Sequence, residues 1–457
     1  MSDRGGTHHE IDHARILSQR HTQSDPSSSV IAPIYTSTTY ARDDAHKLPT
    51  FGPEDKTLCY SRPDNPTLQL PERMLAELEG GEDAALFASG MAAVTCVLNA
   101  VVGEGEIVLC PRRAYFAVRA RIKEWCSARG AEVVYYDPDQ PCEQFAHRDV
   151  FTLHKAGDAP ETDFLCATLQ ERLEMLNGDK KIALVWIESP ANPTWDVMDI
   201  EKASSISKRS GVRCVCVDST VLTPICSKPL SFGADIVMHS ATKYLNGHSD
   251  VLAGALVTNK RDDVWRNVLH ERKLGGAVLG SFDAYLLTRG MRTLELRVRH
   301  QSESALWLAR ELEKACLAKL VRLPSSSDTA VVLYPGLESH PQYETAKRMC
   351  PDGCFGGMLS VVFLQRRHMQ ELPESGESLA KECAQFAANC RNWTCATSLG
   401  GFESLIEHRY SVEYSGPEYT AMGLLTPHVP MGLLRLSVGL ENKEDLLQGF
   451  LESLPRF

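Results

Sequence analysis

Short apolar runs alternate with helical patterns through the first half of the 457-residue chain. Runs that are largely apolar at successive positions are typical of strands buried on both faces. The runs lie at residues 84–88, 107–109, 133–136, 182–187, 213–217 and 234–239, and helical patterns occupy about 68–79, 115–129 and 169–176. Strands that alternate with helices form parallel sheets, because each helix carries the chain back across a face of the sheet. The sequence therefore predicts an α/β fold with a large, mostly parallel sheet.

A long helical region separates this part from the C-terminal residues. Ser281 is its predicted N-cap, apolar residues then recur three or four positions apart, and Gly290 is a predicted bend. Short strands near 331–333 and 359–363 and a helix near 379–390 predict a smaller α/β domain. We predict three regions: an N-terminal arm over 1–67, a large domain over 68–280 and a small domain over 281–457.

Composition restricts the partners of the protein. The chain has 43% hydrophobic and 23% charged residues and a net charge of -11. A negative chain without basic runs is a poor match for nucleic acid or for an acidic membrane surface. No apolar run reaches the roughly 20 residues that a membrane-spanning helix needs. The sequence therefore predicts small-molecule chemistry, with no nucleic-acid partner and no membrane.

The cysteines indicate a reducing compartment. The chain has 15 of them, an odd number, and no apolar signal segment precedes its polar first ten residues. We expect reduced thiols in a cytoplasmic protein. Cys214 and Cys216 alternate at strand spacing, which places both on one face of a strand as small core residues. No second ligand pair accompanies them at a suitable spacing, so no metal site is predicted.

Lys243 is set apart from the other lysines by its neighbours. It follows the apolar run 234–239 and lies between the hydroxyls of Ser240 and Thr242 on one side and Gly247 on the other. A lysine taken at random lies on the protein surface. A lysine just past a strand end, beside hydroxyls that can hold a phosphate, is instead suited to forming a Schiff base with an aldehyde cofactor. We therefore predict that Lys243 is the central residue of the site.

Two other stretches are suited to binding an anion. Tyr60 and Arg62 are two residues apart in a loop with two prolines, so in extended backbone they point the same way. The alternative for Arg62 is a loop arginine with no ligand. The chain also turns from strand to helix at Ser89-Gly90, where backbone N–H groups at the helix N-terminus can bind a phosphate closely.

Three further residues are polar where the pattern predicts burial or a strand end. Asp218 ends an apolar strand, and a carboxylate there needs a partner, such as the ring nitrogen of pyridoxal phosphate. Tyr115 lies beyond a strand end, where α/β sheets place ligands, although a core tyrosine is the competing account. Arg435 lies in an apolar run and therefore needs an anion. The anion is either a substrate carboxylate bound by two parallel hydrogen bonds or the carboxylate of a structural salt bridge.

Taken together, these motifs resemble the Cys/Met-metabolism family of pyridoxal-phosphate enzymes, which contains cystathionine γ-synthases, cystathionine lyases, methionine γ-lyases and O-acylhomoserine sulfhydrylases. The likeness runs from about Ile31 to about Leu447. The motifs that carry it are Tyr60-x-Arg62, Ser89-Gly90-Met91, Pro-Ala-Asn192-Pro, Ser240-Ala-Thr-Lys243, Ser398-Leu-Gly-Gly and Arg435-Leu-Ser-Val-Gly. The resemblance implies the fold-type-I architecture, with a large sheet domain, a smaller C-terminal domain and an N-terminal arm.

The resemblance also implies a role for each motif. Lys243 holds pyridoxal 5'-phosphate covalently and moves protons, and Tyr115 stacks on its ring and can act as a base. The other implied cofactor contacts are Gly90, Met91, Ser240 and Thr242 at the phosphate, Asp218 at the pyridine nitrogen, Asn192 near the hydroxyl, and Tyr60 and Arg62 at the phosphate of the neighbouring subunit's cofactor. Ser398 and Arg435 bind the carboxylate of an amino-acid substrate. A shared site of this kind implies a homotetramer made of two active dimers.

The sequence departs from the family pattern in places that border the substrate. Gly-x-Thr is common after the stacking tyrosine, whereas here Phe116, Ala117 and Val118 follow. Ala117 stands where methionine γ-lyases carry a cysteine, so that activity is disfavoured. The usual His-Pro-Ala-Ser-Met-Thr-His segment is replaced by residues 408–416, and residues 137–180 are predicted to be a surface elaboration.

The resemblance implies γ-replacement on an activated homoserine through a vinylglycine-type intermediate, as in cystathionine γ-synthase. The alternatives are γ-elimination of the cystathionine γ-lyase type, β-elimination, and specialised γ-substitution with a nucleophile other than cysteine. All of these reactions use the same cofactor and carboxylate motifs. The sequence therefore does not determine the leaving group or the nucleophile.

Overall fold

Two β-sheets joined by a pair of long helices make up the protein in the computed structural model, which describes residues 16, 29–41, 58–137, 168–176, 181–365, 373–414 and 429–455. The larger sheet has seven strands and the smaller has five. Most of the predicted elaboration at 137–180 lies outside the described residues. No helix in the described ranges is both long and apolar enough to cross a membrane.

The large sheet contains the parallel strands that the sequence predicts. Its strands are β1 (Asp83–Phe87), β2 (Ile107–Pro111), β3 (Glu132–Tyr136), β4 (Ile182–Glu188), β5 (Cys214–Asp218), β6 (Ile236–His239) and β7 (Gly254–Thr258). They lie in the order β1-β7-β6-β5-β4-β2-β3. Strands β6, β5, β4, β2 and β3 are parallel to one another. Strand β7 is antiparallel to its two neighbours, β1 and β6. Strand β7, whose five residues follow a long polar turn, was not predicted from the sequence.

Helices cover this sheet and carry the chain between its strands. They are α1 (Pro66–Glu79), α2 (Gly90–Val101), α3 (Phe116–Ala128), α4 (Leu169–Met175), α5 (Ile200–Arg209), α6 (Thr223–Cys226) and α7 (Asp263–Gly275). The start of α2 is fixed by Ser89, whose side chain accepts a hydrogen bond from the backbone N–H of Ala92. Gly80 ends α1 in the left-handed conformation (φ 72°), which glycine adopts without strain.

The inner strands β2, β4, β5 and β6 are buried on both faces, which explains their nearly continuous apolar sequence, whereas the edge strand β3 is only partly buried. Val108 and Cys110 pack in one core, and Ile107 and Leu109 pack in the other. Cys214 and Cys216 share the face of Val108, as their spacing predicts. No described cysteine forms a disulfide.

The region between the two sheets is a pair of helices rather than one bent helix. Helix α8 (Ser281–Met291) is followed by α9 (Leu294–Leu317). The prediction that Ser281 caps α8 is wrong: the cap position is Gly280, and Ser281 is already the first helical residue. Gly290 is required for a close approach, because a Cβ there would lie 2.3 Å from the carbonyl oxygen of Asn246.

The small sheet has the order β10-β11-β12-β9-β8 and is antiparallel except for β10 and β11. Its elements are β8 (Ser326–Leu333), α10 (Tyr343–Met349), β9 (Met358–Gln365), α11 (Pro373–Asn389), β10 (Thr394–Cys395), β11 (Leu405–His408), α12 (Arg409–Tyr414), β12 (Leu433–Ser437) and α13 (Lys443–Glu452). The two sheets agree with a large and a small unit, and the exact boundary at residue 280 stays a prediction.

Buried hydrogen bonds connect the two units. The indole Nε1 of Trp195, after β4, donates to Ser360 Oγ in β9 at 2.8 Å. Ser360 Oγ in turn donates to the carbonyl of Pro193 at 2.9 Å. Because Trp195 and Ser360 are fully buried, these bonds hold the carboxyl ends of the large sheet against the small sheet. The predicted site residues lie at this junction.

Candidate active site

Lys243 lies in a turn that follows β6 and reaches towards the small sheet. Its Nζ donates a hydrogen bond to Ser398 Oγ at 2.9 Å. Burial, and secondly the nearby Arg435 guanidinium, lower the pKa of Lys243 to about 8. The ammonium can therefore lose its proton near neutral pH, which is the requirement for an amine that acts as a nucleophile or a base.

A buried arginine that the sequence analysis missed fixes the turn after Lys243. Arg297 of α9 donates to the carbonyl of Tyr244 at 2.9 Å and to that of Gly290 at 2.8 Å. Gly247 lies directly against its guanidinium, since a Cβ at that position would be 1.8 Å from Arg297 Nη1. With a φ of 70° as well, only glycine fits there. Gly247 is therefore the one sign of this contact that the sequence shows.

The start of α2 and Ser240 form an anion cradle, which is defined here by Gly90, Met91 and Ser240. A Cβ at Gly90 would lie 3.1 Å from Ser240 Cβ and 3.2 Å from Ser240 Oγ. The first N–H groups of a helix have no partner within the helix, so those of Gly90 and Met91 are available beside this hydroxyl. The Thr242 hydroxyl instead donates to the carbonyl of Ala253 at 3.1 Å. The predicted contact of Thr242 with a phosphate stays a prediction.

Two buried carboxylates lie side by side at the ends of β4 and β5. Glu188 and Asp218 are paired in register. Burial, and then Asp218, raise the pKa of Glu188 to about 8, and burial also raises the pKa of Asp218. Asp218 accepts hydrogen bonds from the N–H of Thr220 at 3.0 Å and from its hydroxyl at 2.6 Å, but it has no ion pair within the described residues. A cation placed here would relieve the cost of burying Asp218.

Glu188 positions the two loops that border the site, a role the sequence analysis missed. Its Oε2 accepts from the backbone N–H of Tyr115 at 2.6 Å, and its Oε1 accepts from that of Asn192 at 2.8 Å. Tyr115 is only partly buried, and its ring packs edge-on to Phe116 with the centroids 4.9 Å apart. Burial raises the pKa of Tyr115, so its hydroxyl is protonated at neutral pH. The sequence signal for Glu188 was the same as for Asp218, a carboxylate that ends an apolar run.

Arg435 connects the two units at the site. Its Nη2 donates to the carbonyl of Ser398 at 2.8 Å and to Glu407 Oε2 at 2.6 Å, and its Nη1 donates to Asn192 Oδ1 at 3.2 Å. The structural salt bridge that the sequence left open is therefore present, across β11 and β12. Burial lowers the pKa of Arg435 to about 10, so it remains cationic. Binding of a substrate carboxylate at Arg435 stays a prediction.

Ser398 joins Lys243 to Arg435 through an unusual backbone conformation. Its φ is 141°, which residues with a side chain rarely adopt. In this conformation its hydroxyl accepts a hydrogen bond from Lys243 and its carbonyl accepts one from Arg435. The structure thus brings Lys243, Ser398, Arg435 and Asn192 together in one hydrogen-bonded chain.

Tyr60 and Arg62 lie apart from this chain of contacts. The Arg62 guanidinium lies over the Tyr60 ring, 5.6 Å from its centroid, so the two side chains share one side of the loop as predicted. The Tyr60 side chain is 46% exposed. Within the part of the chain that the structure describes, neither residue forms a hydrogen bond with the residues around Lys243.

The donor set fits pyridoxal 5'-phosphate in three respects. Lys243 supplies a buried amine of lowered pKa, the anion cradle supplies N–H groups and a hydroxyl, and Asp218 supplies a carboxylate without a cation. Thr220 connects Asp218 to the anion cradle, because its hydroxyl donates to Asp218 and accepts from the N–H of Ser240 at 2.9 Å. These groups match the aldehyde, the phosphate and the ring nitrogen of that cofactor.

Comparison with known proteins supports the same conclusion. Residues 14–149 and 161–455 match the family described as Cys/Met metabolism PLP-dependent enzyme. A cystathionine gamma-synthase of Mycobacterium bovis is 36% identical over 433 residues, which are 94% of this chain and 93% of the relative. An L-methionine gamma-lyase of Fusobacterium nucleatum subsp. polymorphum is 33% identical over 425 residues, or 93% of each chain.

Solved structures agree over nearly the whole chain. The structure of metB from Corynebacterium glutamicum superposes with a TM-score of 0.75 at 30% identity and covers 97% of each chain. A cystathionine gamma synthase from Xanthomonas oryzae pv. oryzae, in complex with aminoacrylate and cysteine, gives a TM-score of 0.73 at 29% identity, covering 96% of this chain and 98% of that one. The chain therefore belongs to the Cys/Met-metabolism family of enzymes, its cofactor is pyridoxal 5'-phosphate, and its chemistry is of the trans-sulfuration type.

Proposed function

We propose that this enzyme catalyses γ-replacement on an activated homoserine, in the manner of a cystathionine γ-synthase. The observation that carries the proposal is the chain of contacts from Lys243 through Ser398 to Arg435. Only Ser398 lies between the Lys243 amine, which can carry a proton, and the Arg435 guanidinium, which can bind a carboxylate. This spacing suits an α-amino acid whose carboxylate is held while its Cα proton is removed. Ala117, in place of the cysteine of methionine γ-lyases, favours replacement over breakdown of methionine.

The residues of this chain divide the work in a definite way. The bound cofactor stores the electron pair that is released when the substrate loses its Cα proton. Lys243 Nζ would take that proton, as its pKa of about 8 allows, and would have to pass it on before taking a second proton, from Cβ, so that the γ-leaving group can depart. Arg435 and Ser398 would hold the substrate, and Tyr115 would lie against the bound cofactor, as the resemblance implies. A thiol then adds at Cγ and forms a thioether.

The reaction is tested with purified protein and its cofactor. O-acetyl-, O-succinyl- and O-phosphohomoserine are each incubated with and without L-cysteine, L-cystathionine is incubated separately, and products are identified by mass spectrometry. We expect a cysteine-dependent thioether from one activated homoserine, which also names the leaving group. Formation of 2-oxobutanoate from cystathionine, without replacement, would identify a γ-elimination lyase. Consumption only with another nucleophile would identify a specialised γ-substitution enzyme.

We also propose that Tyr60 and Arg62 complete the site of a neighbouring subunit. Arg62 has no carboxylate partner within the described residues and approaches Gly276 at the end of α7. Leu274 and Phe282, which flank that end, are 63% and 61% exposed in the single chain. Apolar side chains around a cation suit a subunit interface that delivers the cation to an anion. A homotetramer of two such dimers follows from the family resemblance.

Mixing two variants in an assay without added cofactor tests the shared site. Arg62→Ala should lose activity there because it retains the cofactor poorly, and Lys243→Ala should be inactive. In a mixed dimer one site carries both changes and the other carries neither, so an equal mixture should regain about a quarter of wild-type activity after exchange of subunits. Mixing with Arg261→Ala, an exposed arginine of the same unit, controls for losses in the exchange step. No recovery in the mixture would place Arg62 outside the partner's site.

A further inference from the structure

The two departures from the family pattern that border the substrate contact each other. Arg409, which stands in the place of the usual proline, has its guanidinium over the ring of Phe116, 5.8 Å from the centroid. Phe116 stands in the place of the usual glycine and packs against Tyr115. The sequence contains both departures but gives no sign that they meet, because 292 residues of chain lie between them.

Arg409 is fully buried in a small group of charges. Its Nη1 donates to Glu407 Oε2 at 2.8 Å and its Nη2 donates to Glu413 Oε1 at 2.8 Å. Burial alone would lower the pKa of Arg409, but Glu413 and Glu407 outweigh burial and raise it. Arg435 donates to the same oxygen of Glu407. Two guanidinium groups therefore share one carboxylate oxygen next to the predicted carboxylate site.

The charges of this group balance only because Arg409 is present. Arg409 and Arg435 contribute two positive charges, and Glu407 and Glu413 contribute two negative charges. Without Arg409, two carboxylates would face Arg435 alone, and the group would carry a net negative charge. A substrate carboxylate that approached Arg435 would then be repelled at short range in a poorly solvated site.

We propose that Arg409 is a positioning residue for substrate binding, which balances Glu407 and Glu413 so that Arg435 keeps its attraction for the substrate carboxylate. Phe116 supports this role by holding the Arg409 guanidinium against its ring. The inference rests on the proposed role of Arg435, but not on which reaction follows binding.

The test compares two ligands that differ only in the carboxylate, L-homoserine and 3-amino-1-propanol. Neither has an activated leaving group, so their titration against the cofactor absorbance of the loaded enzyme reports binding rather than turnover. Arg409→Gln should weaken homoserine binding by about tenfold and leave binding of 3-amino-1-propanol unchanged. Arg409→Lys, which keeps the charge, should recover most of this loss.

A second pair of variants separates charge from structure. Arg409→Gln combined with Glu413→Gln restores the balance of charges and should regain homoserine binding. Glu413→Gln alone should bind homoserine more tightly than wild type, and it decides the matter if Arg409→Gln does not fold. Equal losses for both ligands, no recovery in the double variant, or no gain in Glu413→Gln would overturn the proposal. If homoserine binds as expected while every replacement assay fails, the proposed reaction is wrong and the role of Arg409 stands.

Discussion

Lys243→Ala is expected to abolish covalent attachment of the cofactor and to reduce turnover by at least about a thousandfold. The reason is that the amine of Lys243 is the only one that the described contacts place on the path from the large sheet to Ser398 and Arg435. Reduction with borohydride followed by intact mass measurement gives the readout: wild type gains the mass of the cofactor, and the variant does not.

A second lysine provides the matched control for this measurement. Burial also lowers the pKa of Lys228, which lies just before the short 3-10 helix Pro229–Phe232 and outside the site. Lys228→Ala should keep both the mass gain and the activity. If Lys243→Ala protein still gained the cofactor mass, another lysine would hold the cofactor and the assignment of Lys243 would be wrong.

Arg435→Ala is expected to lower kcat/KM by roughly 2–4 kcal/mol in transition-state free energy. The change removes the predicted carboxylate partner, and it also leaves Asn192 Oδ1 and the Ser398 carbonyl without their buried donor. Because Glu407 keeps its bond from Arg409, the site does not acquire a wholly unpaired carboxylate. Steady-state kinetics with the substrate identified by mass spectrometry measure the loss.

Two controls bracket the Arg435 result. Arg435→Lys keeps a positive charge but not the two-pronged geometry, so it should lie between wild type and Arg435→Ala. Arg391, whose side chain is 73% exposed beside Glu452, should tolerate Arg391→Ala with no change in kcat/KM. An unchanged kcat/KM in Arg435→Ala would mean that Arg435 serves only the buried salt bridge with Glu407.

The large sheet could be predicted because its signal is local. The inner parallel strands are buried on both faces, so an apolar run marks each of them without knowledge of its neighbours. Strand β7 was missed because five residues without a flanking helical pattern carry little signal. The cap of α8 was misplaced by one residue because a serine favours both the cap and the first helical turn, and only the backbone decides between them.

The individual site residues were predictable from local context, whereas the partners that tune them were not. Lys243, Asp218 and Arg435 each stand out as a charge beside an apolar run. Glu407, which pairs with Arg435, and Arg409, which pairs with Glu407, lie in a polar segment where charged residues are ordinary. What gives those two their importance is burial against β12, and that depends on the pairing of strands β11 and β12.

The hydrogen bonds at the site cross between the two units of the chain. Lys243 donates to Ser398, and Arg435 donates to Asn192, and in each pair one residue belongs to the large unit and the other to the small unit. A displacement of one unit relative to the other would therefore break both bonds together, along with the buried bond from Trp195 to Ser360. The geometry of the site thus depends on how the two units pack against each other, and neither unit holds it alone.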